Sequence, residues 1–238
     1  MTHQAIVLLS AGLDSTTSLA LALEAGVEIT HAIAFDYGQR AAESEWSQAQ
    51  KMAAHYHLAL QRVPLPFLAD LNASALSQKG SEDVPQVDIE SLDNVMGVTL
   101  NSANKVWVPN RNGLFMNIAA VWADRFGLQE IITGFNAEEA VTFPDNTPQF
   151  ATAITRSLAF STQSQPEVKS YVQHLNKIEI MQEALRLKVP LELLWSCYTS
   201  GPRHCGQCES CNRLKRALIA CEQQELLETL FAEEMPHA

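Results

Sequence analysis

The feature that most constrains this chain is an alternation of apolar strand-length runs with helix-length segments, beginning at Ala5. Ala5-Ile6-Val7-Leu8-Leu9 is apolar throughout, as a strand covered on both faces of a sheet must be. Residues 15–23 read as the helix that follows, and Gly26 is placed to stop it as a C-cap. Residues 28–35 predict a second strand. Residues 43–56 predict a helix, with Trp46, Ala49, Met52, Ala53 and Tyr56 at helical spacing. A third strand is expected at 58–63, ended by Pro64 and Pro66. An apolar helix at 112–126, a buried strand at 130–133 and a helix at 149–158 continue the pattern. The alternation predicts an α/β fold with a doubly wound, mostly parallel sheet, whose ligands bind at the carboxyl ends of the strands. The 10–15 turn, Asp36-Tyr37-Gly38 and Gly134-Phe135-Asn136 all fall at such ends.

The first of these turns, Ser10-Ala11-Gly12-Leu13-Asp14-Ser15, joins a strand to a helix start and is rich in hydroxyls. Free N–H groups at a helix N-terminus, with the hydroxyls of Ser10, Ser15 and Thr16, make an anion site. It is not a Walker A loop, because no Gly-Lys-Ser/Thr closes it. Ala11 raises a specific demand: a left-handed backbone there costs ~1–2 kcal/mol with a Cβ present, so a negative φ is expected.

The chain has 238 residues, enough for one large domain with a small appendage. We divide it into an α/β nucleotide-binding domain at 1–176 and a helical, metal-bearing subdomain at 177–238. Within the first, residues 67–105 are polar, turn-rich and lid-like. The segment 223–234 reads as an acidic amphipathic helix. A net charge of −11 argues against a general nucleic-acid binder. No apolar run approaches the ~20 residues needed to cross a bilayer, and the chain enters a strand without a basic leader, so a cytoplasmic location is expected.

Four of the five cysteines, Cys197, Cys205, Cys208 and Cys211, are gathered near the C-terminus. Two overlapping Cys-x-x-Cys steps plus a fourth Cys supply four thiolates to one ion, with Arg203, His204, Arg213, Lys215 and Arg216 close by to offset their charge. An iron–sulfur cluster uses the same ligands, but Asn212 follows Cys211 where the ferredoxin run continues Cys-Pro, which favours zinc. Cys221 is left over as a small core residue.

These elements resemble one family in order and spacing. The Ser10–Ser15 turn resembles the pyrophosphate loop, Ser-Gly-Gly-x-Asp-Ser, of the nucleotide alpha hydrolases. With Phe35-Asp36-Tyr37-Gly38-Gln39-Arg40 and the following Glu43, Ser74-Ala75-Leu76, Val108-Pro109-Asn110-Arg111-Asn112, Gly134-Phe135-Asn136-Ala137, Phe143-Pro144-Asp145, Trp195-Ser196-Cys197-Tyr198 and the cysteine cluster, the chain resembles the 7-cyano-7-deazaguanine synthase family nearly end to end. It departs from that pattern at Ala11, Ala41, Glu139, Thr142, Phe143 and Asn146.

The resemblance implies ATP-dependent conversion of 7-carboxy-7-deazaguanine and ammonia to the nitrile, through an adenylated carboxylate and an amide. It implies ATP, Mg²⁺ and Zn²⁺ as cofactors, a homodimer, and no stable nucleic-acid or membrane partner. Leu9, Ser10, Ala11, Gly12, Leu13, Asp14, Ser15, Thr16, Thr17, Ser18 and Leu19 would hold the nucleotide phosphates, with Phe35 and Asp36 beside the adenosine. Asp14, Ser15 and Arg111 are the expected catalytic residues. Arg111, Asn112, Asn136, Phe143 and Asp145 are expected at the substrate, with Tyr198 as an alternative stacking partner; Asn112 would otherwise cap its helix. Three other readings stay open: a paralogue activating a different carboxylate, a transfer-RNA-modifying adenylating enzyme, and a zinc-stabilised nucleotide sensor without turnover.

Overall fold

The computed structural model describes residues 3–71, 74–80 and 83–231. Five strands form one wholly parallel sheet in the order β3-β2-β1-β4-β5, with β1 at Gln4–Leu8, β2 at Glu28–Asp36, β3 at Leu60–Pro64, β4 at Glu130–Thr133 and β5 at Glu167–Ser170. The strand order reverses between β1 and β4. A crevice opens there, outside the carboxyl ends of the strands.

The helices are α1 (Leu13–Glu24), α2 (Ala42–His55), α3 (Pro66–Leu71), α4 (Leu100–Val106), α5 (Arg111–Phe126), α6 (Pro148–Ser161), α7 (Lys177–Arg186), α8 (Glu209–Ala220) and α9 (Gln224–Leu230). The two-residue repeat of a strand sends alternate side chains to opposite faces. Ala5 and Val7 of β1 pack with Leu19 and Ala22 of α1, Ile180 of α7 and Leu218 of α8. Ile6 turns the other way and packs with Met116 of α5, Ile131 of β4 and Leu158 of α6. The first cluster runs without a break from β1 to Cys197, Cys208 and Cys211, so the metal region shares the core of the sheet.

Most predicted elements are present with ends displaced by one to three residues. Gly26 stops α1 in a left-handed conformation at φ 83°, with Val27 N–H donating to Ala22 O at 3.0 Å. Strand β5 was not anticipated: of its four residues only Val168 is both apolar and buried, which leaves no periodic signal. The 67–105 segment is more ordered than its polarity suggests. It contains most of α3 and of α4 and the short turns Ile89–Ser91 and Val95–Thr99. It is pinned to the metal region through Asn212 Nδ2 to Val87 O at 2.8 Å and Glu209 N–H to Pro85 O at 3.2 Å. The acidic segment expected at 223–234 is helical over Gln224–Leu230, and its last residues lie outside the described residues. Among the described residues no helix is long and apolar enough to cross a membrane.

Candidate active site

The crevice between β1 and β4 is lined by a main cavity of about 250 Å³ and two smaller ones of about 210 and 120 Å³. Arg111 and Glu139 line all three. Its floor is the turn after β1. Ser10 and Ser15 hydroxyls meet at 3.1 Å, Gly12 N–H donates to Ser10 Oγ at 3.3 Å, and Ser15 Oγ donates to Gly12 O at 3.2 Å. Gly12 is the extended N-cap of α1, leaving the first N–H groups of the helix open to an anion.

The negative φ expected of Ala11 is wrong. Its φ is 59°, its side chain is fully buried, and its carbonyl accepts from Trp195 N–H at 2.9 Å. That long-range bond and the surrounding packing hold the residue in a conformation it would not adopt alone. At the other side of the crevice Gly134 must be glycine. A Cβ there would stand 2.7 Å from Ser15 N, so β4 approaches the turn as closely as backbone allows.

The predicted phosphate-binding run divides in two. Leu9, Ser10, Gly12, Asp14 and Ser15 line the main cavity, and Leu13 lines the second. Thr16, Thr17, Ser18 and Leu19 do not bring their side chains there. The helical turn carries them beneath the sheet, where Thr17 Oγ1 donates to Leu13 O at 2.7 Å and Ser18 Oγ accepts from Tyr171 N–H at 3.0 Å. Phe35 lines the cavity and stacks on Phe115 with ring centroids 3.9 Å apart. Asp36 also lines it, but its carboxylate is held by Arg62 at 2.7 Å and by Gly38 N–H at 3.1 Å.

Arg111 begins α5 and points into the crevice with little to hold it. Its guanidinium lies over the Tyr37 ring at 5.6 Å and donates to Tyr37 Oη at 3.2 Å. Among the described residues no carboxylate comes within ion-pair distance of it, so a planar two-donor face is left for a ligand. Asn112 is not the helix cap. The cap position is Asn110, left-handed at φ 52°, while Asn112 lines the main cavity and donates to Asp145 O at 3.3 Å. Asn136 and Asp145 line none of the cavities. Asn136 Oδ1 accepts from Glu139 N–H at 2.9 Å, its Nδ2 is buried without a partner among the described residues, and burial raises the Asp145 carboxyl above its ordinary range. Phe143 and Tyr198 line the smallest cavity together, with Phe143 parallel to Trp107.

Two residues escaped the sequence reading. Lys177, the first residue of α7, is buried and its ammonium bridges Asp14 at 2.5 Å and Glu139 at 2.7 Å. A cation at a helix N-terminus opposes the helix dipole, and that mismatch is the signal that could have found it. Burial pushes the Asp14 carboxyl up to about 6 against the pull of Lys177, and among the described residues Asp14 Oδ1 has no hydrogen-bond partner. The second is Glu45. The motif reading chose Glu43, which is exposed and pairs with Arg62 at 2.7 Å, whereas Glu45 turns inward and lines two of the cavities.

The four cysteines converge beside the crevice. Their Sγ atoms all lie within 4.8 Å of one another. Four thiolates at ~2.3 Å from a common centre fit that spacing. Three of the basic side chains expected to offset that charge are engaged elsewhere. His204 is neutral, with Nε2 accepting from Ser196 N–H at 2.9 Å; Arg213 and Arg216 reach Glu209 and Glu138. Backbone donors serve instead: Cys205 N–H and Thr199 N–H reach Cys197 Sγ at 3.4 and 3.5 Å, and Cys208 N–H reaches Cys205 Sγ at 3.4 Å. Cys208 is also the N-cap of α8, so that helix directs its positive end at the sulfurs.

The site can be set beside known proteins. The chain is 47% identical over 214 residues to 7-cyano-7-deazaguanine synthase of Pelotomaculum thermopropionicum, covering 90% of this chain and 96% of that one. It is 45% identical to the protein of that name in Carboxydothermus hydrogenoformans, covering 90% and 98%. With the one in Bdellovibrio bacteriovorus it shares 46% identity, covering 90% and 92%. Residues 4–222 match the family model described as queuosine biosynthesis protein QueC, and the chain belongs to that family.

Proposed function

We propose that this enzyme converts 7-carboxy-7-deazaguanine and ammonia to 7-cyano-7-deazaguanine, consuming ATP through an adenylated carboxylate and then an amide. A carboxylate is a poor acyl donor because both oxygens carry charge; adenylation turns one of them into a leaving group. The observation that carries this reading is the unpaired Arg111 guanidinium facing the same crevice as the phosphate turn. That pairing suits an enzyme that must hold a substrate carboxylate against a nucleotide phosphate.

Ser10, Gly12 and Ser15 present hydroxyl and backbone donors to the phosphates. Phe35, Phe115 and Ile33 give an apolar wall suited to a nucleotide base. Lys177 neutralises one of the two carboxylates it bridges, so the Asp14–Glu139 pair keeps one excess negative charge beside the turn, which suits Mg²⁺. Phe143 and Tyr198 flank the space where a deazapurine ring would stack. In the cysteine cluster Zn²⁺ would be fully ligated, with no open position, and would fix the turn that carries Ser196 and Tyr198. A homodimer in the cytoplasm, without nucleic-acid or membrane partners, completes the reading.

Incubating the purified chain with ATP, Mg²⁺, ammonium and 7-carboxy-7-deazaguanine tests it. AMP, pyrophosphate and a nitrile product by mass spectrometry are expected. AMP and pyrophosphate released only with some other carboxylate would overturn the substrate assignment.

A further inference from the structure

Four carboxylates line the main cavity: Asp14, Asp36, Glu45 and Glu139. Three of them face a cation. Asp14 and Glu139 share the Lys177 ammonium, and Asp36 holds Arg62. Glu45 stands apart. Among the described residues no cation is within ion-pair distance of it, and its hydrogen bond comes from the neutral amide of Gln39, with Nε2 2.7 Å from Glu45 Oε2. Gln39 is itself locked, because its Oε1 accepts from Tyr37 N–H at 2.9 Å and its Nε2 also donates to Phe35 O at 3.1 Å.

The helix explains the placement. Glu43 and Glu45 are two residues apart on α2 and so face opposite ways. Glu43 points to solvent, and Glu45 points to the wall shared by the main cavity and the second one. One oxygen is fixed by Gln39, leaving the other for a ligand. Burial pushes the Glu45 carboxyl up to about 6, with Asp36 adding to the rise and Gln39 and Arg111 opposing it. A carboxylate bound to a cation is a weak base, whereas one held only by an amide keeps its basicity, and a base poised near neutral pH serves proton transfer best.

We propose that Glu45 is the proton acceptor for the nitrogen nucleophile. This rests on the adenylation reading above. The ammonia lone pair forms the new C–N bond at the activated carboxyl carbon. The bond from that carbon to the AMP oxygen breaks, and its electron pair leaves on AMP. One of the three N–H protons passes to Glu45, giving the amide, AMP and a neutral carboxylic acid.

The test separates activation from nitrogen transfer in Glu45→Gln. Pyrophosphate release is first measured in a single turnover with ATP and the carboxylate, without a nitrogen donor. Product formation is then followed with ammonia or with hydroxylamine. Hydroxylamine is a weakly basic amine whose adduct sheds its proton to water unaided. The variant is expected to release pyrophosphate like the wild type, to lose ~10²–10⁴-fold in the ammonia reaction, and to recover most of that loss with hydroxylamine. Impaired pyrophosphate release, or equal losses with both amines, would overturn the proposal. Glu45→Asp guards against misfolding: it keeps an acid but withdraws it, and is expected to slow ammonia transfer while sparing hydroxylamine. A Glu45→Asp rate with ammonia equal to wild type would also overturn it. A wild-type chain that releases no pyrophosphate would instead overturn the adenylation reading, and this proposal with it.

Discussion

Glu138 and Glu139 are joined by one peptide bond but serve two different buried charge clusters. Glu139 shares Lys177 with Asp14, and all three residues line the crevice. Glu138 binds Arg213 and Arg216 of α8, and Arg213 also holds Glu209 at 2.6 Å, which in turn accepts from Ser102 of α4. The second cluster balances its buried charges: two guanidiniums face Glu138 and Glu209, Arg216 also reaches the exposed Asp93 at 2.8 Å, and the helix behind them carries Cys211. The first has two carboxylates for one ammonium and leaves Asp14 Oδ1 without a partner. Each cluster keeps one buried polar atom without a partner among the described residues, Asp14 Oδ1 and Arg216 Nε, so it is the excess of carboxylate over ammonium on the crevice that distinguishes the first.

The largest effect is expected on the metal side. Cys208→Ser removes one of the four sulfur ligands while leaving a residue that can still cap α8, and should cost ~5 kcal/mol or more, comparable to the whole stability of many domains. Loss of bound metal together with a collapsed denaturation midpoint checks it; a stable, metal-free, active variant would contradict a structural metal.

The two clusters then separate under matched substitutions. Arg213→Met leaves Glu138 and Glu209 short of a cation in a closed setting and is expected to cost ~3–5 kcal/mol. Lys177→Met should cost less, because Asp14 and Glu139 open on the crevice and can take up protons or solvent, but it should abolish pyrophosphate release. Equal stability losses by urea unfolding, or an active Lys177→Met, would erase the distinction.

A third effect is pH-dependent. Burial raises the Asp14 carboxyl to about 6 in the fold, above its unfolded value, so the folded state holds a proton that the unfolded chain gives up. Stability from this group is therefore fully present below its unfolded pKa and is lost as pH rises through about 6. Urea unfolding at acidic and at neutral pH should show a contribution of ~3 kcal/mol that Asp14→Asn removes. Turnover should follow the opposite sign, falling as Asp14 takes up its proton.

The smallest effect concerns Ala11. Ala11→Gly relieves the left-handed strain but frees the unfolded chain, and the two nearly cancel, giving a change below ~1 kcal/mol. Calorimetry on the two proteins measures it.

What the sequence made legible follows from where its signals are strong. The sheet's inner strands, the phosphate turn and the four cysteines rest on dense local patterns, and each appears at or within a few residues of its expected place. Glu45 and Lys177 rest on none. Choosing Glu45 over Glu43 depends on the helical phase of α2 against β2, and finding Lys177 depends on α7 returning beside α1. Ala11 shows the same limit from the other side: its local preference for negative φ was read correctly and then overridden by a contact far along the chain. The backbone N–H groups that reach the cysteine sulfurs likewise could not be read from side-chain letters.

The bond from Trp195 N–H to Ala11 O has one more consequence, for the order in which the protein comes together. The phosphate turn is made well before the donor that fixes its shape, which stands two residues ahead of the first metal-binding cysteine. Synthesis must pass Trp195 before the turn can take its final form. A nascent chain halted before Trp195 would carry every residue of the phosphate turn and still lack the donor that fixes it.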